Sequence, residues 1–299
     1  MDVVYKNYEP NKGFEELQAK IYNEAVKPYD GATVTPEQIK SRFEADKPDF
    51  QGIRYALKPD GSPLAYIQYR YEKKDNEIHI GYPWATAECA PDVQEKLYSE
   101  ELAYVKSKYS GAKILMGYIS NSFSRMHDFA KRKGFVVNDV EKQFEFDIKS
   151  AIKVKVEGNK PKLATMEDLE TLVTLGTSDT ELEMSKDYAT SYFKGRVIPQ
   201  GNCIILSKDA KPVAACAALK AWRKETSLIR FTAIAPGNES LKLSLYAELA
   251  KHLMSVSWED KKLVFNLLGK RDYSDLIKKL GAKEVSKLTE FRLEEKPKK

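Results

Sequence analysis

Residues 229–254, IRFTAIAPGNESLKLSLYAELAKHLM, read as a strand, a turn and a long helix. Apolar side chains alternate with others from Ile229 to Ala233, which is typical of a strand with one buried face. The Pro-Gly-Asn sequence at 236–238 predicts a turn. Every fourth residue from Leu241 to Leu253 is then a leucine, and this period predicts a helix that packs deeply into a core.

The first half of the chain carries the same order of elements. Asp60-Gly61 separates two alternating segments and predicts a strand–turn–strand unit, as Asp209-Ala210-Lys211-Pro212 does in the second half. A further strand, a long helix and a buried strand follow in each half. A short helix then stops at a glycine, Gly134 or Gly281, placed for the left-handed conformation that ends helices. Each half is expected to close with a terminal strand pair, around residues 144–146 and 291–293.

Three pairs of landmarks keep a nearly constant offset between the halves, which indicates an internal repeat. The pairs are Asp60 and Asp209 at 149 residues, Pro91 and Pro236 at 145, and Gly134 and Gly281 at 147. The sequence therefore predicts an α/β (α+β) fold with two tandem domains, 1–150 and 151–299. Each is expected to be a mixed, mostly antiparallel sheet flanked by helices, with the boundary between Ser150 and Lys160.

Composition narrows the class of protein. The chain has 299 residues, of which 42% are apolar and 31% charged, as in folded soluble proteins. Its longest apolar run, 213–219, is far shorter than the roughly 20 residues that span a bilayer. No signal peptide is readable at the N-terminus, so we expect a cytoplasmic protein without a membrane partner. The net charge is +5, but no basic run is interleaved with aromatic residues, so no nucleic-acid partner is expected.

Several familiar chemical motifs do not occur. No two glycines stand two residues apart, which excludes the G-x-G-x-x-G dinucleotide fingerprint. The sequence contains neither a phosphate-binding P-loop nor a G-x-S-x-G nucleophile elbow. Its three histidines and three cysteines form no metal-binding pair in the sequence, so no metal is expected, although distant ligands could still assemble a site.

The order of elements, with the helix–glycine–aromatic ending Lys133-Gly134-Phe135, resembles the GCN5-related N-acetyltransferase (GNAT) superfamily, once in each half. Residues 163–169 (LATMEDL) are similar to the first strand of that family running into its first helix. Residues 233–236 (AIAP) are similar to the segment that leads into its cofactor loop. The resemblance implies an acyl-CoA-dependent N-acyltransferase, with acetyl-CoA or another acyl-CoA as cosubstrate and direct attack of an amine on the thioester.

The resemblance also implies where the cofactor binds. The family loop, [QR]-x-x-G-x-[GA], lets the backbone approach the pyrophosphate, which the amides at a helix start bind. Counted from Pro91, the first half keeps the glutamine at Gln94 but has neither family glycine. Counted from Pro236, the second half has Glu239 in place of that glutamine. The implied cofactor-binding residues are Gln94, Lys96, Leu97, Tyr98 and Ser99 in the first half, and Gly237, Asn238, Ser240 and Lys242 in the second.

The catalytic candidates come from the first half. A base must take a proton from the amine, and Glu77 and His79 lie on the strand that leads to the loop. Residues of these types in a strand more often face solvent than act as catalysts. Asn121 is loosely similar to a family asparagine, or it could cap the following helix. The second half offers only Arg230 on the corresponding strand.

Two functions remain open. The first is a tandem N-acyltransferase with one competent half, for which the first half is the better candidate. The alternative is a catalytically inactive GNAT-fold binding or regulatory protein, because both loops lack both family glycines. The acceptor would be a small-molecule or peptide amine, and the chain could be a monomer or a homodimer.

Overall fold

The computed structural model describes residues 2–29, 31–154, 161–179, 182, 184–220, 225–267 and 274–294. These residues form two compact units. Unit 1 comprises Met1–Val140 and Lys287–Lys299, and unit 2 comprises Glu141–Ser286. Part of the expected boundary segment, 155–160, lies outside the described residues. The division into two sequence copies, 1–150 and 151–299, stays a prediction.

Unit 1 is a mixed, mostly antiparallel sheet with helices. Its sheet order is β1-β2-β3-β4-β6, with β5 beside β3, and only β4 and β6 run parallel. Thr35 and Gln38 form a capping box that starts the second helix. The elements are β1 (Val4–Asn7), α1 (Phe14–Val26), α2 (Pro36–Asp46), β2 (Ile53–Leu57), β3 (Pro63–Glu72), β4 (Glu77–Ile80), β5 (Trp84–Ala85), α3 (Pro91–Lys108), β6 (Lys113–Ser120), α4 (Ser124–Arg132) and the start of β7 (Phe135–Asp147).

Unit 2 has the same arrangement. Its sheet order is β8-β9-β10-β11-β12, and only β11 and β12 run parallel. The leucines at 245, 249 and 253 are fully buried in its core, as their period predicts, whereas Leu241 lies just before the helix and is only partly buried. The elements are α5 (Ile148–Ala151), β8 (Lys162–Leu163), α6 (Leu169–Ser178), α7 (Lys186–Tyr192), β9 (Cys203–Lys208), β10 (Lys211–Lys220), β11 (Thr226–Ile234), α8 (Lys242–Ser255), β12 (Lys262–Leu267), α9 (Ser274–Leu280) and β13 (Lys283–Leu293).

The long strands β7 and β13 each serve both units. Residues 142–147 of β7 pair with β12 and belong to unit 2. Residues 288–292 of β13 pair with β6 and belong to unit 1. Each predicted terminal strand pair is therefore one continuous strand. β13, the final strand of the chain, completes the sheet of unit 1. β7, the final strand of the first sequence copy, completes the sheet of unit 2.

The helix ends and the repeat register are partly as predicted. Gly134 (φ 81°) and Gly281 (φ 63°) follow α4 and α9 in the left-handed conformation, which confirms both helix stops. The proline landmarks are wrong, however. Pro91 is the first residue of α3, whereas Pro236 lies in the loop six residues before α8 begins. An offset of 148 instead aligns Leu97 with Leu245, both fully buried.

Candidate functional site

In each unit two parallel strands part after a short pairing. β4 pairs with β6 only from Glu77–Lys113 to His79–Leu115. Beyond that point the chain after β4 stays with β3, because Gly81 N donates to Gln68 O (2.8 Å), while β6 runs on to Ser120, paired with β13 along its other edge. In unit 2, β11 pairs with β12 only over 226–228, then continues beside β10 to residue 234. In each unit the two strands are not paired with each other beyond this point, and we call the space between them the cleft.

His79 stands where β4 and β6 part. Its Nδ1 lies 3.7 Å from the position that a Cβ on Gly117 of β6 would take. The ring therefore faces the space that Gly117 leaves open because glycine has no side chain, and we call this space the notch. Burial, together with the charge of Arg70, lowers the pKa of the His79 imidazole. The ring is therefore neutral at pH 7, which is the form that accepts a proton.

Glu77 precedes His79 on the same face of β4, two residues away. Its carboxylate accepts from Lys113 Nζ at 3.2 Å across the parallel strand pair. The candidates Glu77 and His79 are thus brought together at the cleft, with Glu77 held by an ion pair.

Glu290 is a polar residue of this region that sequence reasoning missed. It lies on β13 and is 7% exposed, and its Oε2 accepts from Asn138 Nδ2 at 2.6 Å. Burial raises the pKa of this carboxyl, the Asn138 hydrogen bond opposes the rise, and the charges of Glu77 and Asp139 add to it. Nothing in the local sequence signals Glu290, because the strand exchange alone brings it beside Glu77.

Asn121 follows β6 and extends its pairing with β13. Its backbone N donates to Lys287 O at 2.9 Å, and its Oδ1 accepts from Lys287 N at 3.4 Å. Phe123, not Asn121, is the residue that precedes α4 at the N-cap position. The structure thus places Asn121 at the end of the exchanged strand.

The cofactor-binding candidates of unit 1 lie inside a helix. α3 begins at Pro91, so the expectation of a loop over these positions is wrong. Proline is favourable at the first position of a helix. Pro91 therefore marks the start of α3, whereas the sequence-based prediction placed a loop there. The residues concerned are Gln94, Lys96, Leu97, Tyr98 and Ser99.

Their side chains make contacts within the unit. Gln94 Nε2 donates to Pro83 O at 2.7 Å, and Ser99 Oγ donates to Glu95 O at 2.8 Å. The Lys96 ammonium lies 4.1 Å from the centre of the Tyr5 ring. Leu97 and Tyr98 are buried in the core. The five candidates are thus engaged in packing and in hydrogen bonds of the unit itself.

The start of α3 carries both signs of charge. Pro91 lacks an N–H, and Asp92 places a carboxylate in the first turn, which opposes anion binding. One turn later Glu95 pairs with Arg132 at the end of α4 (3.1 Å) and with Lys133, which follows it. Two cations therefore lie beside the start of α3 and share a single carboxylate.

Aromatic rings fill the space between α3 and α4. Tyr98 of α3 and Phe129 of α4 meet edge to face with their centres 5.2 Å apart. Tyr82, just after β4, contacts Phe129 at 5.3 Å and Trp84 at 5.5 Å. Tyr82 and Trp84 are only partly buried, so each keeps part of its ring exposed.

The candidates of unit 2 do lie in a loop and at a helix start. Gly237 adopts φ 81°, and its N donates to Glu239 Oε1 at 3.1 Å. Asn238 Nδ2 donates to the carbonyls of Ala235 and Pro236, both at 3.3 Å. Ser240 sits in the short turn before α8, which begins at Lys242 and has no acid in its first turn.

A buried carboxylate enters the unit 2 cleft. Asp179, which follows α6, is 3% exposed, and its Oδ2 accepts from Ile234 N at 2.7 Å. The neighbouring Ala235 N donates to β10, so the Ile234 N–H points to the opposite edge, into the cleft. Sequence reasoning missed this acid because it precedes the strand by many residues.

The fold has known counterparts among solved structures. A tandem GNAT protein from the clavulanic acid biosynthesis pathway matches with a TM-score of 0.71 at 9% identity, over 99% of this chain and 100% of its own. The chain has the GNAT fold in tandem. A GCN5-related N-acetyltransferase from Sphaerobacter thermophilus matches at 0.69 and 10% identity, over 97% of this chain and 95% of its own. The N-myristoyltransferase of Saccharomyces cerevisiae, solved with myristoyl-CoA, matches with a TM-score of 0.67 at 9% identity, over 97% of this chain and 78% of its own.

Sequence comparison adds no relative to this tandem GNAT fold. The chain matches no protein-family model and no curated protein sequence. Within the described ranges, no group of three or more His, Cys, Asp or Glu side chains could hold a metal ion. None of the helices in the described part of the chain is long and apolar enough to cross a membrane.

Proposed function

We propose that this tandem GNAT-fold chain is an acyl-CoA-dependent N-acyltransferase whose chemistry takes place in unit 1. The observation that carries the proposal is His79 Nδ1 facing the notch at Gly117, at the point where β4 and β6 part. A neutral imidazole in a cleft between diverging strands is placed to take a proton from an amine. The solved GNAT-fold structures support acyl transfer as the class of reaction.

The residues of unit 1 fit an acyl-CoA in part. Arg132 and Lys133 can pair with its pyrophosphate, in competition with Glu95. The amides at the start of α3 can contribute, although Pro91 and Asp92 weaken that site. The half-buried rings of Tyr82 and Trp84 offer apolar walls. The bound group would supply an acyl carbon activated as a thioester.

The protein groups then handle the proton and the charge. His79 takes the proton of the acceptor amine, and the Glu77 carboxylate beside it stabilises the resulting imidazolium. Lys113 holds Glu77 in place. The acceptor is a small molecule or a peptide that presents an amine.

A non-catalytic binding protein is the second candidate, favoured by a different observation. In unit 2 two backbone N–H groups near the cleft already donate to carboxylates of the chain. Gly237 N donates to Glu239, and Ile234 N donates to Asp179. In unit 1, Tyr98 and Phe129 pack together where α3 and α4 face one another. A protein that used the fold only as a scaffold would tolerate both features.

The test is release of free CoA thiol from acetyl-CoA in the presence of a panel of amines. We expect turnover by the natural chain and a fall of roughly 100-fold or more in kcat for His79→Gln, which cannot act as a base. His252→Gln makes the same change in unit 2 and is the matched control. Turnover by His79→Gln at the rate of the natural chain would refute the role of His79. No turnover with any amine would favour the binding protein.

A further inference from the structure

The face of the unit 1 sheet that carries His79 is polar across three strands. On β4, Glu77 and His79 alternate with the fully buried Ile78 and Ile80, so the two polar side chains share the opposite face. β6 contributes Lys113 to this face through its ion pair with Glu77. The face thus presents titratable groups on both sides of the strand divergence.

Glu290 joins this face from β13. The pairing of β13 with β6 is interrupted between Thr289–Ile119 and Phe291–Met116, so Glu290 lies opposite Gly117 and Tyr118. The glycine therefore stands between His79 on one neighbouring strand and Glu290 on the other. Because Gly117 has no side chain, the two polar groups flank an open notch.

The surroundings leave Glu290 without a cationic partner among the contacts of the described residues. Asn138 donates to it at 2.6 Å, and the Asp139 carboxylate accepts from Tyr118 OH at 2.8 Å. The other charged groups on the face include Glu77 paired with Lys113, the half-buried Glu72 opposite Glu77 on β3, and the exposed Arg70 and Arg292 on neighbouring strand positions. Burying a carboxylate with one neutral hydrogen bond is costly, and a cation in the notch would offset that cost.

We infer that Gly117, His79 and Glu290 form the acceptor pocket of the proposed acyltransferase, and that the acceptor is a primary alkylammonium whose charge Glu290 binds. The inference rests on the proposed function for its reaction, and on the three flanking strands for its geometry. Tyr118, 43% exposed, provides an apolar surface at the rim for the carbon chain of the substrate.

The pocket separates binding from proton removal. Glu290 pairs with the R–NH3+ group as it enters. His79 Nδ1 then takes one proton, which leaves R–NH2 with a free electron pair and an imidazolium beside the Glu77 carboxylate. Lowering of the His79 pKa by burial keeps the ring ready for this step at neutral pH. Raising of the Glu290 pKa by burial predicts that ammonium binding weakens as the pH falls.

The test is nuclear magnetic resonance of the histidine side chains, of which the chain has only three. Pentylammonium chloride is titrated into the full-length protein without acyl-CoA, and 1-pentanol is the uncharged control. We expect pentylammonium to shift the His79 signals saturably and 1-pentanol to leave them unchanged. His79 signals that stay unmoved up to about 100 mM pentylammonium would overturn the inference.

Variants separate the two walls of the notch. Glu290→Gln should weaken pentylammonium binding about tenfold or more, whereas Glu294→Gln on the exposed end of the same chain segment should not. Gly117→Ala places its Cβ at an ordinary contact distance from His79 and should fold normally, while the larger Gly117→Val should block binding with Glu290 intact. Equal affinity in Glu290→Gln or in Gly117→Val would refute the pocket. Pentylammonium binding without acyl transfer from acetyl-CoA would refute the proposed reaction and support the pocket.

Discussion

A buried acid on α3 makes the stability of the protein depend on pH. Glu101 is completely buried, and its Oε2 lies 3.0 Å from Arg54 Nε. The contact is poorly aligned, so both carboxylate oxygens lack a hydrogen bond within the described part of the chain. Burial raises the pKa of Glu101 to about 8, the ion pair with Arg54 opposes the rise, and the charge of Asp49 adds to it.

The sign and size of the effect follow from linkage. The folded protein holds the Glu101 proton more tightly than the unfolded chain, whose carboxyl titrates near its ordinary 4.5. The free energy of unfolding is therefore unaffected by this group below pH 4.5, falls as the pH rises towards 8, and levels off above it. Between pH 5 and pH 7 the loss from this one group is about 2 kcal/mol.

The assay is urea unfolding at pH 5 and at pH 7, with Glu101→Gln compared with the natural chain. Glutamine does not ionise, so we expect Glu101→Gln to remove about 2 kcal/mol from the difference between the two pH values. Glu100→Gln is the matched control, because Glu100 neighbours the same Arg54 at 3.4 Å but is partly exposed. An unchanged pH difference in Glu101→Gln, or an equal change in Glu100→Gln, would refute the reasoning.

Three further predictions concern stability. Gln94→Glu removes the donor to Pro83 O and should lower the free energy of unfolding by about 1–2 kcal/mol, as measured by urea unfolding; no loss would contradict the structural role of Gln94. Leu245→Ala leaves a cavity at a fully buried position in unit 2 and should lower the free energy of unfolding by roughly 2–5 kcal/mol in the same assay. A loss no larger than that of Leu163→Ala, at an exposed leucine, would contradict the packing of Leu245. Ending the chain at Ser286 removes the strand that pairs with β6, so hydrogen exchange should show faster exchange at residues 115–120 and unchanged protection in β10.

Much of the fold could be predicted from local patterns. The leucine period of α8 and the glycines after α4 and α9 express constraints within a few residues of each other, and all of them hold in the structure. The strand–turn–strand units hold for the same reason, although the second turn is only Asp209-Ala210, because Lys211 and Pro212 already pair within β10. The repeat offset was predictable as well, except at the prolines.

The exchange of final strands between the two sequence copies could not be predicted. Alternation in 142–147 and in 288–292 indicates a strand with a buried face but does not say which strand it pairs with. The site depends on that choice, because Glu290 reaches the notch only through the pairing of β13 with β6. The alignment of Pro91 with Pro236 was wrong for a related reason, because proline occurs both at the first position of a helix and in the loop before one.

The central claim is that acyl-CoA binds in unit 1, and calorimetric titration with acetyl-CoA tests it most directly. We expect one molecule of acetyl-CoA bound per chain. Glu95→Gln should bind about fivefold more tightly, because Arg132 and Lys133 lose the carboxylate that competes with the phosphates. Asp179→Asn, which alters the cleft of unit 2, should leave the affinity unchanged. Tighter binding in Asp179→Asn with no change in Glu95→Gln would place the site in unit 2, and no binding at all would contradict the acyltransferase.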